Sequence, residues 1–349
     1  MSRWVVIRCQ TGEGVGLGHL MRCREVARHL RDQGIAAAMI GPAEALRDRA
    51  DGDLFQVWQT VEGWSGSACD AAQVMALCDR LGTRHAVIDD YRADPVFQKA
   101  LRAGGVRWLQ QFDASCDWRF CCDVLVNASP HERRADYLQR LEAPERTQTL
   151  FGPAYAVLRR GFRQVVTGRD GRAVRRVLVA FGGGDDRGAI ALVLTALAGR
   201  LDRGVTLVVV SGAGNPGLHG VTQAVSALSG GQAELHVGPG DMPGLMAGCD
   251  LAVIGGGTMT YEAAICGVPM ITLALAANQE RPCLGWQALT GAPYLGRVGD
   301  AAPQALFEAV SSLIRDDERR EAMAAKGRQA VDGRGVDRLV SALFERAAA

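Results

Sequence analysis

The sequence predicts an α/β protein made of two Rossmann-like domains, each built on a parallel sheet. Three observations lead to this prediction. The chain has 349 residues, which is too long for one ordinary hydrophobic core. Short apolar runs alternate with helical patterns throughout, as in parallel sheets that helices cover on both faces. A polar, glycine-rich stretch at 167–171 separates a domain at 1–165 from a second domain at 172–349.

Each half contains five apolar runs with the length and composition of buried strands. In the first half a helical pattern begins at Leu20, and Gly34 is expected to end it. The predicted strands of the first half are Trp4–Cys9, Ala36–Ile40, Ala86–Ile88, Val106–Leu109 and Val124–Val126. Those of the second half are Val177–Phe181, Val205–Val210, Glu234–Val237, Leu251–Ile254 and Met270–Leu273.

Composition and charge exclude several classes of protein. Hydrophobic residues make up 48% and charged residues 22%, which excludes disorder as the main state. The formal net charge of +1 provides no global field for nucleic acid or an anionic membrane. No window approaches the roughly 18 apolar residues of a membrane span, and we expect a cytoplasmic protein. The ten cysteines form no C-x-x-C pair, so we expect free thiols and no zinc cage. The oligomeric state is not indicated.

The first glycine-rich segment, Gly12–His19, follows a strand and opens a helix. Its glycines let the backbone approach a ligand, and the helix N-terminus offers free N–H groups to an anion. The segment is similar to a dinucleotide fingerprint, but its spacing is crowded and no acidic residue ends the second strand. Binding of NAD is therefore a minor alternative.

His19 lies in the first turn of that helix, at the sheet edge where open α/β folds bind ligands. A helix N-terminus disfavours positive charge, so a neutral imidazole there is suited to accept a proton from water. The alternative is a polar residue at a helix start with no catalytic task.

Two glycine-rich turns in the second half also follow strands. The first is Phe181–Asp186, whose alternative interpretation is a tight turn with Asp185 or Asp186 capping the next helix. The second is Gly255–Glu262, in which backbone amides and the hydroxyls of Thr258 and Thr260 are placed to hold a diphosphate. Glu262 shares a helix face with Thr258 and is a candidate acceptor for ribose hydroxyls. Its alternative is a solvated residue on a capped helix.

Smaller polar clusters follow three other predicted strands. They are Asp89-Asp90-Tyr91, Phe112-Asp113 and Asn278-Gln279-Glu280. Each cluster by itself is typical of a loop, but all three are expected at the ligand-facing edge of a sheet.

Together these motifs resemble a known family, the UDP-2,4-diacetamido-2,4,6-trideoxy-β-L-altropyranose hydrolases of the pseudaminic acid pathway. That family and its spore-coat polysaccharide relatives have the two-domain GT-B fold of many glycosyltransferases, in which two parallel sheets face a central cleft. The matching stretches keep the family's order and cover most of residues 1–290: 15–23, 88–91, Phe112-Asp113, 152–159, 181–185, 256–262 and Asn278-Gln279.

The resemblance implies a role for each matching residue. It makes His19 the catalytic residue, and it places the sugar at Gly16, Gly18, Arg22, Asp90, Tyr91, Asp113, Tyr155, Asn278 and Gln279. It places the nucleotide at Gly182, Gly183, Gly184, Gly256, Gly257, Thr258, Met259, Thr260 and Glu262. In many GT-B proteins the C-terminal helices cross back onto the first domain, an arrangement that the sequence leaves open.

Three positions depart from the family pattern. Gln10 stands where the family usually has Asp, Ala114 follows Phe112-Asp113 where a second Asp is common, and Cys121 lies in the segment after Arg119 in which related sequences often carry a His. These departures lie on the sugar-facing side, so the sugar and the acceptor stay open.

Three functions follow as hypotheses. The first is hydrolysis of a UDP-linked diacetamido sugar to free sugar and UDP, with inversion at the anomeric carbon, in the biosynthesis of nonulosonic acids. The second is an inverting glycosyltransferase that uses a UDP-sugar donor, and the third is a non-catalytic nucleotide-sugar binding protein. We expect no metal and no cofactor. The expected ligand is a UDP-sugar, with no nucleic-acid partner.

Overall fold

The computed structural model describes residues 3–12, 18–113, 118–165, 173–228 and 232–345. The chain divides into two compact units. Unit 1 contains Met1–Arg159 and Gly333–Ala349, and unit 2 contains Arg160–Asp332.

Unit 1 contains one parallel sheet with helices between its strands. Its strands are β1 (Trp4–Cys9), β2 (Ala36–Gly41), β3 (Val57–Thr60), β4 (His85–Asp89), β5 (Arg107–Gln111), β6 (Val124–Asn127) and β7 (Gln148–Phe151). Its helices in this part of the chain are α1 (Gly18–Asp32), α2 (Asp51–Leu54), α3 (Ala68–Arg80), α4 (Pro95–Ala103) and α5 (Arg134–Tyr137). The strand order is β3-β2-β1-β4-β5-β6-β7.

The central strands of unit 1 are apolar on both faces because helices cover both sides of the sheet. Val5, Val6 and Ile7 of β1 are fully buried, although their side chains alternate between the two faces. The strand order reverses at β1 and β4, which are neighbours. Parallel sheets of this kind bind ligands at such a switch point, beyond the carboxyl ends of the strands.

Unit 2 repeats this topology. Its strands are β8 (Arg176–Ala180), β9 (Thr206–Ser211), β10 (Ala233–Val237), β11 (Leu251–Gly255), β12 (Met270–Ala274) and β13 (Tyr294–Arg297). Its helices are α6 (Arg160–Arg163), α7 (Ala189–Leu197), α8 (Leu218–Ser226), α9 (Met242–Ala247), α10 (Met259–Cys266), α11 (Glu280–Thr290), α12 (Pro303–Arg315) and α13 (Asp317–Ala330). The order β10-β9-β8-β11-β12-β13 reverses between β8 and β11.

The last helix, α14 (Gly335–Phe344), belongs to unit 1. Val336, Leu339 and Val340 join the core cluster that also contains residues of α1. Arg107 of β5 donates to the carbonyl oxygens of Leu343 and Ala342, at 2.7 and 3.0 Å, and so satisfies groups that a helix C-terminus leaves open.

The domain limits expected from the sequence need correction in this respect. Residues 172–349 were assigned to the second domain, but the apolar face of α14 completes the core of unit 1. The boundary between unit 1 and unit 2 lies after Arg159. The glycine-rich stretch 167–171, where the sequence predicts the boundary, lies outside the described residues.

All ten predicted strands are present as β1, β2, β4–β6 and β8–β12. The sequence missed β3, β7 and β13, which form edges of the two sheets. The predicted helix after β1 is α1. No helix in the described part of the chain has the length and apolar character needed to cross a membrane.

Candidate functional site

The switch point of unit 1 brings His19 and Asp89 together. Asp89 ends β4, and His19 lies in the first turn of α1, which follows the neighbouring strand β1. The two side chains are largely buried, and His19 Nδ1 lies 2.7 Å from Asp89 Oδ1. An ionised carboxylate only accepts hydrogen bonds, so this contact requires the proton on Nδ1. The lone pair is then on Nε2, which has no hydrogen-bond partner among the described residues.

Arg22 holds the same carboxylate from a second side. Its Nε donates to Asp89 Oδ2 at 3.0 Å, and a terminal nitrogen donates to Oδ1 at 2.8 Å. Burial raises the pKa of Asp89, but the charge of Arg22 and the hydrogen bonds from His19 and Arg22 outweigh burial and lower it to about 2. Asp89 is therefore ionised at any ordinary pH, and it fixes the orientation of the His19 ring.

Asp113 extends this group of charges towards solvent. It follows β5, and its Oδ2 accepts a hydrogen bond from Arg22 at 3.1 Å. Its side chain is 29% exposed, whereas that of Asp89 is 3% exposed. The structure thus brings three of the predicted residues, His19, Arg22 and Asp113, into one cluster.

Tyr91 packs against the His19 ring. The two rings meet edge to face, with centroids 4.6 Å apart. The backbone N–H of Tyr91 donates to Oε1 of the buried Gln10 at 2.9 Å. An amide oxygen accepts this bond as a carboxylate does, so the glutamine at this position is compatible with the turn.

Asp90 has a different environment from its neighbour. Successive side chains on a strand point to opposite faces, and Asp90 is fully buried against Arg8 at 2.6 Å. Arg8 also stacks on Trp64, with its guanidinium carbon 3.6 Å from the ring centroid. A Cβ on Gly41 would lie 1.4 Å from Arg8 Nη1, so only glycine leaves room for it. The Asp90 carboxylate thus lies against Arg8 and Arg92 and not in the His19 cluster, and its contact with the sugar stays a prediction.

Two other predicted sugar residues of unit 1 do not join the His19 cluster on the described contacts. Tyr155 follows the edge strand β7 and packs beside α14, where the Arg338 guanidinium carbon lies 6.0 Å from its ring. The strands β5 and β6 separate β7 from β4 in the sheet, which explains this placement. Gly18 is exposed at the start of α1. Gly16 and Ala114 lie outside the described residues.

In unit 2 the glycine-rich turns follow β8 and β11, the two strands at its switch point. Gly182, Gly183 and Gly184 are exposed. The loop after the neighbouring strand β9 packs closely on them, because a Cβ on Gly212 would lie 1.9 Å from Gly183 O. A Cβ on Gly256 would lie 2.4 Å from Cys283 Sγ. The Gly182–Gly184 turn therefore presents exposed backbone, whereas Gly256 of the second turn is buried where a side chain does not fit.

The start of α10 contains three of the residues that the sequence predicts at the nucleotide. Thr258 is exposed and Met259 is half-buried. Thr260 is fully buried, and its hydroxyl donates to Gly257 O at 2.8 Å. That hydroxyl closes the turn itself in this structure, and a contact between Thr260 and a diphosphate stays a prediction.

Glu262 and Gln279 lie around the same turn. Glu262 is 6% exposed. Its charge is among the causes that, after burial, raise the pKa of Cys266 to about 12. Gln279 accepts a hydrogen bond from Leu275 N at 2.9 Å, and its Nε2 lies 3.8 Å from the position of a Cβ on Gly257. Asn278 beside it is exposed.

The sequence missed two residues at these switch points. Asp89 was noted only within a polar cluster, although it follows an apolar run and its partner across the strands is Cys9, at the end of β1. Arg187 follows the glycine turn after β8 and has a positive φ of 51°. No sequence pattern identified its conformation, because arginine rarely adopts it.

Comparisons with known proteins support the fold. No family model matches the chain. It is 32% identical over 104 residues to the spore coat polysaccharide biosynthesis protein SpsG of Bacillus subtilis, and this match spans 30% of this chain and 30% of that protein. Among solved structures it is similar to MurG of Acinetobacter baumannii, with a TM-score of 0.70 and 16% identity over 97% of this chain and 98% of that one.

Two further structures contain nucleotides or nucleotide sugars. Alr3699/HepE of Anabaena, in complex with UDP and glucose, has a TM-score of 0.61 at 15% identity, and covers 97% of this chain and 98% of that one. UGT2 of Phytolacca americana, with UDP-2-fluoro-glucose and pterostilbene, has a TM-score of 0.67 at 14% identity and the same coverage. The predicted fold class, two α/β units with parallel sheets of the GT-B type, is confirmed.

Proposed function

We propose that the protein is an enzyme that transfers the sugar of a UDP-sugar to an oxygen nucleophile, with His19 as the general base. The observation that carries this proposal is the His19–Asp89 pair at the switch point of unit 1. Asp89 holds Nδ1, so Nε2 presents its lone pair. A base of this kind contributes about 10²–10⁴-fold to a rate.

In the preferred form of this proposal the nucleophile is water and the sugar is a UDP-linked diacetamido sugar. The water oxygen attacks the anomeric carbon while His19 Nε2 accepts a water proton. The bond between the anomeric carbon and the diphosphate oxygen breaks, and UDP leaves with the electron pair. One displacement inverts the configuration and gives free sugar and UDP, as nonulosonic acid biosynthesis of the pseudaminic type requires.

Unit 2 is proposed to hold the nucleotide. The Gly182–Gly184 turn is exposed, Gly257 is half-buried, and the start of α10 adds the positive end of a helix dipole. Thr258 and Glu262 stay candidates for the diphosphate and the ribose. Such donors stabilise charge that grows on the leaving diphosphate. The UDP named in the complexes of similar structures supports uracil as the base.

The second candidate is an inverting glycosyltransferase, in which an acceptor hydroxyl replaces water. Its support is the likeness to MurG and UGT2 over nearly the whole chain, together with the partial match to SpsG. The same His19–Asp89 pair would deprotonate the acceptor. The departures from the hydrolase pattern at Gln10 and Cys121 do not choose between water and another acceptor.

One experiment separates these functions. The protein is incubated with a panel of UDP-linked acetamido sugars without acceptor, and ¹H and ³¹P NMR follow free sugar, its anomeric form and UDP. Hydrolysis gives both products at a rate that His19→Ala abolishes. Strict dependence on an added acceptor identifies the transferase. Tight binding without turnover under both conditions contradicts an enzymatic role and leaves a binding protein.

A further inference from the structure

One basic side chain reaches across the glycine turn of unit 2. Arg187 lies in the loop after β8, and its Nη1 donates to the carbonyl oxygen of Leu275 at 2.8 Å. Leu275 follows β12, and β11 lies between β8 and β12 in the sheet. The Arg187 side chain therefore crosses the carboxyl end of β11, where the Gly255–Gly257 turn begins.

The surroundings of Gly255 agree with this crossing. A Cβ on Gly255 would meet Phe181 Cδ1 at 3.6 Å and Leu275 Cδ1 at 3.7 Å. These two side chains come from the loops that Arg187 links. The same two loops thus flank the glycine turn, and the guanidinium group joins them above it.

The backbone of Arg187 is held in an uncommon conformation. Within the described residues it is the non-glycine residue with a positive φ, at 51°. Such a conformation is unfavourable for a non-glycine residue and persists where the surrounding structure enforces it. Its N–H donates to Asp185 Oδ1 at 2.8 Å, and the buried Asp186 accepts from Ile190 N at 2.9 Å at the start of α7. These hydrogen bonds hold the loop in the conformation from which the Arg187 side chain extends.

The charge at this edge of unit 2 makes Arg187 distinctive. The segments after the six strands are 181–188, 212–217, 238–241, 256–258, 275–279 and 298–302, and Arg187 is their sole Lys or Arg. Backbone amides donate hydrogen bonds but carry no net charge, and Asp185 and Asp186 add negative charge. Among these connecting segments, Arg187 supplies the positive charge that favours binding of a diphosphate here.

We infer that Arg187 binds the diphosphate of a nucleotide held by unit 2, exchanging its hydrogen bond with Leu275 for bonds to phosphate oxygens. This inference rests on the proposed nucleotide function of unit 2. A guanidinium group matches phosphate with paired N–H donors. Apart from the bond to Leu275, the Arg187 guanidinium has no protein partner among the described residues. Its donors are thus available to an anion at the glycine turn.

The test compares ligands with and without the diphosphate. UDP and uridine are titrated into the full chain by calorimetry and NMR, for the wild type, Arg187→Ala, Arg187→Gly and Arg203→Ala. Glycine accepts the positive φ without strain, so Arg187→Gly removes the charge and keeps the loop. Arg203 is an exposed arginine in the segment before β9, at the opposite edge of the sheet, and serves as the matched control.

We expect both Arg187 variants to bind UDP about tenfold more weakly or worse, which is typical of a lost charged hydrogen bond. Their affinity for uridine should stay within twofold, and Arg203→Ala should match the wild type. An unchanged affinity for UDP, or an equal loss for UDP and uridine, overturns the inference and leaves the proposed function intact. A wild type that binds no UDP removes the proposed function and this inference with it.

Discussion

The two sheets of this protein have the same central strand order, yet their switch points are chemically opposite. In unit 1 the neighbours β1 and β4 end in buried charged side chains, with Asp89 beside His19 and Asp90 beside Arg8. In unit 2 the equivalent strands β8 and β11 are followed by glycine turns, of which Gly182–Gly184 is exposed and Gly256 is buried beside Cys283 with no room for a Cβ. Topology therefore provides the position of a site, and the residues at the strand ends decide its chemistry.

The difference suggests a division of labour. Buried, oriented side chains hold one proton position, whereas exposed backbone amides fit an anion without regard to side-chain rotamers. Under the proposed function, changes in unit 1 should lower turnover and spare nucleotide binding. Changes in the glycine turns of unit 2 should weaken nucleotide binding and leave the turnover of bound substrate largely unchanged. Each prediction below tests one side of this contrast.

The largest effect is expected for His19→Ala. It removes the only nitrogen in the pair placed to accept a proton, so turnover of a UDP-sugar should fall about 10²–10⁴-fold. The affinity for UDP, measured by calorimetry, should stay within twofold. A loss of UDP binding as large as the loss of turnover would show that the two units do not divide the work in this way.

The next effect concerns stability, at the buried charges of unit 1. Arg8→Ala leaves the fully buried Asp90 without its 2.6 Å partner, and breaking a buried pair costs about 3–5 kcal/mol. Arg92 still contacts Asp90, so we expect the lower end of that range in urea unfolding. Arg84→Ala breaks the exposed pair with Asp79 and should cost less than about 1 kcal/mol. Equal losses for the two variants would contradict the structural role of Arg8.

Asp89→Asn tests the positioning of His19 with little change in shape. The amide accepts a bond from Nδ1 less strongly than the carboxylate and presents N–H donors towards Arg22, so turnover should fall about 100-fold. Asp113→Asn, at the exposed end of the same cluster, is the control and should lose less than tenfold. A rate profile in which only Asp89→Asn changes shape with pH would separate positioning of the base from general damage to the fold.

The lowered pKa of Asp89 also predicts how this variant behaves in acid. Its folded pKa of about 2 lies below the ordinary value near 3.9. The stabilisation by this carboxylate is therefore complete above about pH 4 and is lost as pH falls towards 2. The difference in unfolding free energy between wild type and Asp89→Asn should be constant from about pH 5 to pH 8 and shrink below about pH 4.

The central strands of both sheets were predictable because burial on two faces leaves continuous apolar runs such as Val177–Ala180. The strands β3 and β13 were not, because they lie at sheet edges and are only partly buried. The sequence left open whether α14 returns to unit 1, because the apolar pattern of a helix does not indicate which of two cores the helix packs against.

The candidate site was predictable to a similar extent. His19 and the glycine turns follow strands directly, and local patterns identify them. Asp89 and Asp90 have different partners because their side chains point to opposite faces of the sheet. The apolar pattern of β4 does not indicate on which of these faces Arg8 lies. The hydrogen bond from the Thr260 hydroxyl to Gly257 was not predictable, because helical spacing indicates a face and does not reveal such a bond. Pairings over long sequence separation account for most of what was missed.

The smallest effect is expected for Gly212→Ala in unit 2. Its new Cβ would lie 1.9 Å from the backbone oxygen of Gly183, and backbone cannot rotate away as a side chain can. One of the two loops must move, at a cost of about 1–3 kcal/mol, and the moved Gly182–Gly184 turn should bind UDP more weakly. Gly214→Ala, where a Cβ meets nothing within 4 Å, is the control and should change little. If Gly212→Ala lowers stability but leaves the affinity for UDP unchanged, the glycine turn after β8 serves packing, and the anion site of unit 2 narrows to the turn after β11.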